Sequence, residues 1–415
     1  MARIEKVLIL DETESNVLFF EMLFQQMDRS FKIFTAVTGA HGELLVKEER
    51  IQLVICAWEM QTMPGTVFVQ RIRNNKAKRH IPCLIFSKRM GPEDITLTKE
   101  LGYEDILGMP FDKEEATRLI MQLISNEETL SSEEKKLRKI ESLIHEGGVT
   151  EALKLFDTAL TRKEQYRSRA KSNLAEIWVE TRHFEKAEKI LDEVLAEDPD
   201  YLHALRLKAR LCSRMGRHEE AISILEMVTQ KSPQNIRSML CLGSAYVDAS
   251  QHDKAREVFG RVKGLDAENT DLRDEEGKLA FKEGDIPLAA RLLAETEYGD
   301  ELARHFNNIA ISKVSTGEFE EAIQTYHNAI QLLTDKARLH QLQYNLGLAW
   351  KKKGDLHRCF QALCESYLGA PDFEKAYVAI ARTAREIKSQ GGRPDQDLVA
   401  QVQSCRKSSR EGQKS

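Results

Sequence analysis

The sequence predicts two architectures in one chain. An α/β domain with a doubly wound parallel sheet covers residues 1–126, and an all-α stack of paired helices covers residues 133–372. In the first part, short apolar runs alternate with amphipathic segments, which is typical of such a sheet. From residue 133 onward the pattern is helical and repeats about every 34 residues. A chain of 415 residues is long enough to hold both parts.

Five apolar runs mark the strands of the first domain, and each is followed by a segment with helical periodicity. The runs are Val7–Leu10, Phe31–Phe34, Leu53–Cys56, Cys83–Phe86 and Ile106–Leu107. The last helix is opened by Asp112 with Glu115 three residues later, which is the spacing of a capping box. Ligands of doubly wound sheets gather at the carboxyl ends of the strands, so the residues at those ends form the candidate site.

The residues at the strand ends follow a known pattern with two substitutions. Asp11 and Glu12 follow the first strand, Ala57 ends the third, Ser87 follows the fourth, and Met109 follows the fifth. This layout resembles the receiver domain of bacterial two-component response regulators, which has a flavodoxin-like (βα)5 fold. The resemblance implies a phosphoacceptor aspartate in place of Ala57 and a lysine in place of Met109. Because a methyl group cannot form an aspartyl phosphate, we expect a degenerate receiver, and the loss of a carboxylate also weakens a magnesium site.

The helical part is built from a repeated unit with small residues at two fixed places. One set is Ala152, Ala187, Ala221, Ala255, Ala289, Ala322 and Cys359, and the other is Ala175, Ala209, Gly243, Gly277, Ala310 and Gly347. A larger side chain would force two closely crossing helices apart. The unit resembles the tetratricopeptide repeat (TPR), in about seven copies that form an α-solenoid with a concave groove.

Three segments lie outside these two parts. Residues 127–132 are predicted to be a polar linker, and residues 373–390 a helix that caps the exposed end of the stack. Residues 391–415 are predicted to be a flexible C-terminal tail, because they are mostly polar. The basic run over residues 71–80 is predicted to be a solvated connection between a helix and a strand.

The first helix of each repeat is expected to line the groove. In the third repeat its groove-facing residues are basic: His203, Arg206, Arg210 and Arg214. Guanidinium groups in a row could hold an acidic peptide or a C-terminal carboxylate. The alternative is that the neighbouring Glu176 and Glu180 neutralise them, as ordinary surface ion pairs. Asn308 and Asn345 occupy a groove position in later repeats and are candidate contacts to a peptide backbone.

Composition excludes several classes of function. The net charge of −5 gives no general reason to bind nucleic acid, and no apolar stretch approaches the 18 or so residues of a membrane span. The 7 cysteines are scattered without a C-x-x-C pair, which fits the cytoplasm and argues against a disulfide framework or a zinc site. We find no catalytic triad, metal-ligand spacing or phosphate-binding loop, so we expect no enzyme activity, no cofactor and no metal.

These patterns favour a non-catalytic signalling scaffold or adaptor, in which a receiver without its phosphoacceptor is joined to a protein-binding solenoid. The alternative is a response regulator that a ligand, a metal or a partner switches through the residual receiver pocket. The resemblance implies a bacterial signalling setting and protein or peptide partners in the TPR groove. It also implies contact with a second copy, or with another receiver, through the helices at about 92–101 and 113–125.

Overall fold

The structure is a computed structural model, and it describes residues 3–27, 29–75, 77–103, 105–293, 299–332 and 336–412. The chain divides into two units, Met1–Asn269 and Thr270–Ser415. The first unit contains the α/β domain and the first four helix pairs, and the second contains the later helices.

The sheet of the α/β domain has five parallel strands in the order β2-β1-β3-β4-β5. The strands are β1 Lys6–Leu10, β2 Lys32–Ala36, β3 Leu53–Ala57, β4 Cys83–Ser87 and β5 Ile106–Gly108. Every residue of β3 and β4 is buried, because helices cover both faces of a parallel sheet. This burial explains why the strands are continuous apolar runs in the sequence, and it confirms the predicted α/β class.

A helix follows each strand, as the sequence pattern predicts. The helices are α1 Glu14–Gln25, α2 Gly39–Glu48, α3 Gly65–Asn74, α4 Pro92–Glu100 and α5 Lys113–Glu128. Asp112 caps α5 by accepting a hydrogen bond from the Glu115 backbone N–H at 2.7 Å. The loop before α5 is held by Phe111, whose ring centroid lies 4.8 Å from that of Phe19 and 5.3 Å from that of Phe86.

Fourteen of the described helices after α5 form seven antiparallel pairs. In the first unit they are α6 Ser132–His145 with α7 Val149–Leu155, α8 Glu164–Glu180 with α9 Phe184–Glu197, α10 Leu202–Arg214 with α11 His218–Lys231, and α12 Ile236–Asp248 with α13 His252–Leu265. In the second unit they are α14 Thr270–Glu283 with α15 Ile286–Leu293, α16 Gly299–Thr316 with α17 Phe319–Leu332, and α18 Lys336–Lys353 with α19 Leu356–Gly369.

In the pairs whose first helix carries a glycine at its small-residue position, the glycine packs against a large residue of the second helix. A Cβ atom on Gly243 would collide with the ring of Phe259, and one on Gly347 would lie 2.9 Å from the Cγ atom of Leu363. The repeat therefore requires a small residue at this position, as the sequence pattern predicts.

Gly243→Ala is expected to destabilise the first unit by about 1–3 kcal/mol, because the added methyl group overpacks the contact with Phe259. Gly260→Ala is the matched control, since a Cβ atom at this exposed position of α13 meets nothing within 4 Å. The control should gain up to about 1 kcal/mol from helix propensity. Urea unfolding monitored by circular dichroism measures both, and equal effects of the two substitutions would contradict the packing argument.

The predicted linker is shorter and more ordered than expected. Helix α5 continues to Glu128 and α6 begins at Ser132, which leaves residues 129–131 between them. Arg138 of α6 binds Glu127 of α5 with an N–O distance of 2.8 Å, and Arg29 binds Glu128 at 2.7 Å. These ion pairs explain why the polar segment is helical at both ends rather than loose.

The predicted flexible tail is wrong for most of its length. Helix α20 Glu374–Ser389 covers the segment predicted to cap the stack, and α21 Gln396–Gly412 follows it. Val402 of α21 is buried in the apolar core of the second unit, and Arg406 contacts the ring of Tyr377 and the carboxylate of Glu374. Residues 413–415 lie outside the described residues.

Candidate functional site

Both acidic residues at the end of β1 are hydrogen-bonded within the α/β domain. Asp11 is buried, and its two carboxylate oxygens accept hydrogen bonds from the Thr13 backbone N–H at 3.1 Å and from Asn16 Nδ2 at 2.6 Å. Glu12 Oε1 accepts from the Gln61 backbone N–H at 2.8 Å. The two carboxylates therefore hold local loops in place. We call the group formed by the residues at the strand ends the strand-end pocket: Asp11, Glu12, Ala57, Ser87 and Met109.

The remaining residues of the strand-end pocket are either apolar or already hydrogen-bonded. Ala57 is buried at the end of β3, and its carbonyl oxygen lies so close to α3 that residue 65 must be glycine. The Ser87 hydroxyl donates to Glu59 Oε1 at 2.6 Å. Met109 packs against the apolar core. Sequence analysis missed Glu59 as a site residue, although its position two residues after Ala57 on the same sheet edge is a usable signal.

The residues present do not fit the divalent cation that a receiver fold implies. Such an ion needs several free oxygen ligands, yet both oxygens of Asp11 accept hydrogen bonds and Ala57 supplies none. Within the ranges that the structure describes, no group of three His, Cys, Asp or Glu side chains is placed to hold a metal ion.

A second candidate region lies where the α/β domain meets the solenoid. The first helices of the four pairs in the first unit, α6, α8, α10 and α12, form a surface that we call the groove face. It contacts α3, the α3–β4 loop and α4 of the α/β domain. Gln70 on α3 is buried, its Nε2 donates to the Gln234 carbonyl at 3.1 Å, and its Oε1 accepts from the Ile236 N–H at 2.9 Å. The side-chain amide thus satisfies backbone groups at the start of α12.

Arg71 joins the two folds through two carboxylates. Its guanidinium group donates to both oxygens of Asp266, just after α13, and to Glu43 Oε2 of α2 at 2.8 Å. The Asp266 side chain is only 1% exposed. Burial raises the pKa of Asp266, but hydrogen bonds from Arg71 and Asn269 outweigh it and hold the pKa below its ordinary value. The Asp266 carboxylate is therefore ionised, and Arg71 compensates its charge.

Arg206 faces the α/β domain rather than open solvent. Its guanidinium group forms an ion pair with Glu100 at the end of α4, and the Glu100 side chain is 4% exposed. At another position of α4, Gln234 Nε2 donates to Asp94 Oδ1 at 3.2 Å. One of the residues predicted to hold an acidic peptide thus already binds an acidic side chain of the same chain.

The other predicted groove residues have different surroundings. Arg210 forms ion pairs with Glu176, at 3.2 Å, and with Glu180, which are the pairs that the neutralisation alternative predicts. His203 is partly buried on the groove face, and burial lowers its pKa. Arg214 is exposed at the end of α10.

The predicted asparagines belong to the second unit. Asn345 Nδ2 donates to Asn307 Oδ1 at 2.5 Å, whereas Asn308 is exposed. A role for either in binding a peptide backbone stays a prediction.

The basic run over residues 71–80 is not the solvated connection that its composition predicts. His80 lies 3.7 Å from Glu141 of α6, measured from Nε2 to Oε2. Burial lowers the pKa of His80 to about 4. Although burial raises the pKa of Glu141, hydrogen bonds from Arg169 bring it to about 2, so Glu141 stays ionised. Arg71 and His80 of this run contribute to the interface, because they face partners that are distant in sequence.

Acidification is expected to loosen the contact between the α/β domain and the groove face. His80 has a pKa near 4 in this contact and an ordinary value of 6.5, so the separated form binds more protons below pH 6.5. The contribution of neutral His80 is thus complete above about pH 6.5 and falls towards pH 4, by at most about 1.4 kcal/mol per pH unit. Glu141 adds nothing in this window, because it titrates near pH 2.

This pH dependence can be measured as a distance between spin labels. Glu114 on α5 and Ser223 on α11 are both exposed and suit labelled cysteines, with the partly exposed Cys241 and Cys405 changed to serine. We call this the 114–223 distance. The distribution of this distance should be broader at pH 5 than at pH 7, and the broadening should be smaller in His80→Gln. An identical pH profile in His80→Gln would show that His80 is not the group responsible.

Comparisons with known proteins agree with this architecture. Residues 7–121 match the response regulator receiver domain family, and residues 143–211 and 204–236 match tetratricopeptide repeat families. A TPR repeat-containing protein of Pseudomonas aeruginosa is 25% identical over 174 residues, which cover 41% of this chain and 30% of the relative. A probable cyclic di-GMP phosphodiesterase of Vibrio cholerae is 28% identical over 104 residues, or 25% of this chain and 23% of the relative. The chain thus spans less than a third of the length of either relative.

A solved chemotaxis response regulator of Vibrio cholerae is 23% identical, with a TM-score of 0.27 over 29% of this chain and 98% of its own. Among the described residues, no helix is both long and apolar enough to cross a membrane. The matches to the family models show that the chain carries a receiver domain of the response regulator family, followed by tetratricopeptide repeats, a combination that supports a role in signalling and protein–protein interaction.

Proposed function

We propose that the protein is a non-catalytic signalling adaptor. Its receiver is not phosphorylated and serves as a docking element, and its repeats bind protein or peptide partners. The observation that carries this proposal is the contact of α3 and α4 with the solenoid through Gln70, Arg71 and Glu100. In this arrangement the receiver acts through its surface, not through its strand-end pocket.

The strand-end pocket supports a receiver without phosphotransfer. Transfer to a carboxylate requires a nucleophile and a cation for the developing charge, but Ala57 and Met109 supply neither. The Ser87 hydroxyl already binds Glu59, and Glu12 already binds the loop after β3. A fixed pocket of this kind suits a scaffold better than a phosphorylation switch.

The interface also restricts where partners can bind. An acidic peptide at Arg206 would have to displace Glu100, so such a partner would compete with the receiver. Contact with a second copy, or with another receiver, through α4 and α5 would meet the same competition at the end of α4. Exposed Arg214 and, in the second unit, exposed Asn308 remain accessible to partners without this competition.

Acetyl phosphate with Mg²⁺ tests the absence of phosphotransfer, with intact-mass spectrometry as the readout. The wild type should show no mass gain. Ala57→Asp alone should also show none, because Met109 provides no cation, whereas Ala57→Asp combined with Met109→Lys should regain labelling. A stoichiometric phosphoryl adduct on the wild type would refute the proposal.

A receiver that is switched by a ligand is the second candidate. It is favoured by a charged cavity between the receiver and the groove face, in which some cations have no partner among the residues that the structure describes.

A further inference from the structure

A cavity of about 1110 Å³ lies between the receiver and the groove face. The receiver contributes α3, the α3–β4 loop and α4 to its walls, and the solenoid contributes α6, α8, α10 and α12. Small-molecule sites in proteins typically occupy roughly 300–1,000 Å³, so this space can hold a ligand of nucleotide size. Its lining is dominated by charged side chains from both folds.

Most of the charged lining residues have partners of opposite charge or carbonyl acceptors. The guanidinium groups of Arg138 and Arg169 bind Glu134, at 2.9 Å in both cases, and Arg206 binds Glu100. The other engaged lining groups are Arg73 with backbone carbonyls, Lys231 with Asp200, Glu141 with Arg169, and Glu176 with Arg210. These groups form the walls and carry little unbalanced charge.

Three lining cations are left over. In the described part of the chain, the side chains of Arg79, Lys99 and Arg237 make no hydrogen bond and have no carboxylate oxygen within 4.0 Å. Arg79 comes from the α3–β4 loop of the receiver, and Arg237 comes from α12 of the solenoid. Burial lowers the pKa of Arg79, Glu141 offsets this in part, and Arg237 lowers it further. The two folds therefore present like charges to one space.

We infer that this cavity binds a phosphate-bearing small molecule, held by Arg79 of the receiver and Arg237 of the solenoid with Lys99 beside them. Planar guanidinium groups match the oxygens of a phosphate in a two-bond geometry, and an ammonium group adds a point charge. Two guanidinium groups and one ammonium group suit a ligand with more than one negative charge. Free polyphosphates and nucleotides share this chemistry.

Such a ligand would couple the two folds. Because the phosphate contacts groups from both the receiver and the solenoid, it binds the docked form better than the separated form, and binding shifts the population towards docking. The inference rests on the docked arrangement of the proposed function, but it does not depend on whether the strand-end pocket can be phosphorylated.

Isothermal titration of the full chain with inorganic pyrophosphate and with ATP tests the inference. The wild type should bind at least one of the two probes. Arg79→Ala and Arg237→Ala should each weaken binding at least tenfold, and exposed Lys99→Ala severalfold. Tighter binding of ATP would identify a nucleotide, and equal binding of both would identify the phosphates alone. Lys189→Ala is the matched control, because Lys189 is an exposed cation of α9 outside the cavity lining, and it should bind like the wild type.

Two results would overturn the inference: no binding of either probe by the wild type, or equal losses in Lys189→Ala and Arg237→Ala. The 114–223 distance separates this failure from a failure of docking. A single narrow distance without binding would reject the ligand and leave the docked arrangement intact. A broad distance in the unliganded wild type would reject docking itself, and the inference with it.

Discussion

Arg71→Ala should separate the receiver from the groove face. The substitution leaves the Asp266 carboxylate, which is 1% exposed, without its main partner. Removing one member of a buried ion pair costs about 3–5 kcal/mol, because the remaining charge is no longer compensated. Since separation of the two folds would return Asp266 to water, we expect the molecule to relieve this cost by undocking rather than by global unfolding. The distribution of the 114–223 distance should then change from narrow to broad.

The double variant Arg71→Ala/Asp266→Ala is the control for this cost. It removes both charges, so it should be milder than Arg71→Ala alone. Arg118→Ala, an exposed cation of α5, should leave the distance unchanged. The docked arrangement lowers the pKa of Asp266. The Asp266 carboxylate therefore stabilises docking at pH values above 3.8, its ordinary pKa. This stabilisation is lost as the pH falls through the lower pKa of the docked form. A narrow distance in Arg71→Ala would argue that Arg71 and Asp266 do not hold the interface.

Arg206→Glu is expected to have an effect of similar size. It places a second carboxylate against Glu100, whose side chain is 4% exposed, so an attractive pair becomes a repulsive one. We expect a loss of at least about 3–5 kcal/mol of docking free energy. Hydrogen exchange at the Ile236 amide reports the change, because this N–H donates to Gln70 of the receiver. Its exchange should accelerate more than a hundredfold, provided that the docked form limits exchange in the wild type.

The charge swap Arg206→Glu/Glu100→Arg isolates the pair from other effects of the substitution. If the pair acts across the interface, the swap should restore much of the protection that Arg206→Glu removes. Arg214→Glu on the same helix should leave Ile236 protected, since Arg214 is exposed. Equal losses of protection in the swap and in the single variant would show that the effect of Arg206 does not pass through Glu100.

Local patterns in the sequence predict the elements of both folds. The strands are visible because β3 and β4 are buried on both faces, and the repeats are visible because Gly243 and its equivalents must accommodate a large side chain. Helix α21 was missed because its sequence is mostly polar. Its partly buried Leu398 and its buried Val402 lie four residues apart, a spacing that could have indicated an amphipathic helix.

The interface could not be predicted in the same way. Arg71 and Asp266 are separated by 195 residues in the chain, and neither belongs to a periodic pattern. The repeat pattern predicts carboxylates on neighbouring repeats as the partners of Arg206 and Arg210. This prediction includes the partners of Arg210. It does not include Glu100, the partner of Arg206, because Glu100 belongs to the receiver. Contacts between folds depend on how two surfaces fit, and a single sequence carries no local signal for this fit.

The most direct test of the account is the 114–223 distance in the wild type, measured before and after incubation with Mg²⁺ and acetyl phosphate. A receiver that docks on the groove face and does not accept a phosphoryl group predicts one narrow distance that is identical under both conditions. A broad distribution without additions, or a shift to a new distance after acetyl phosphate, would contradict the account.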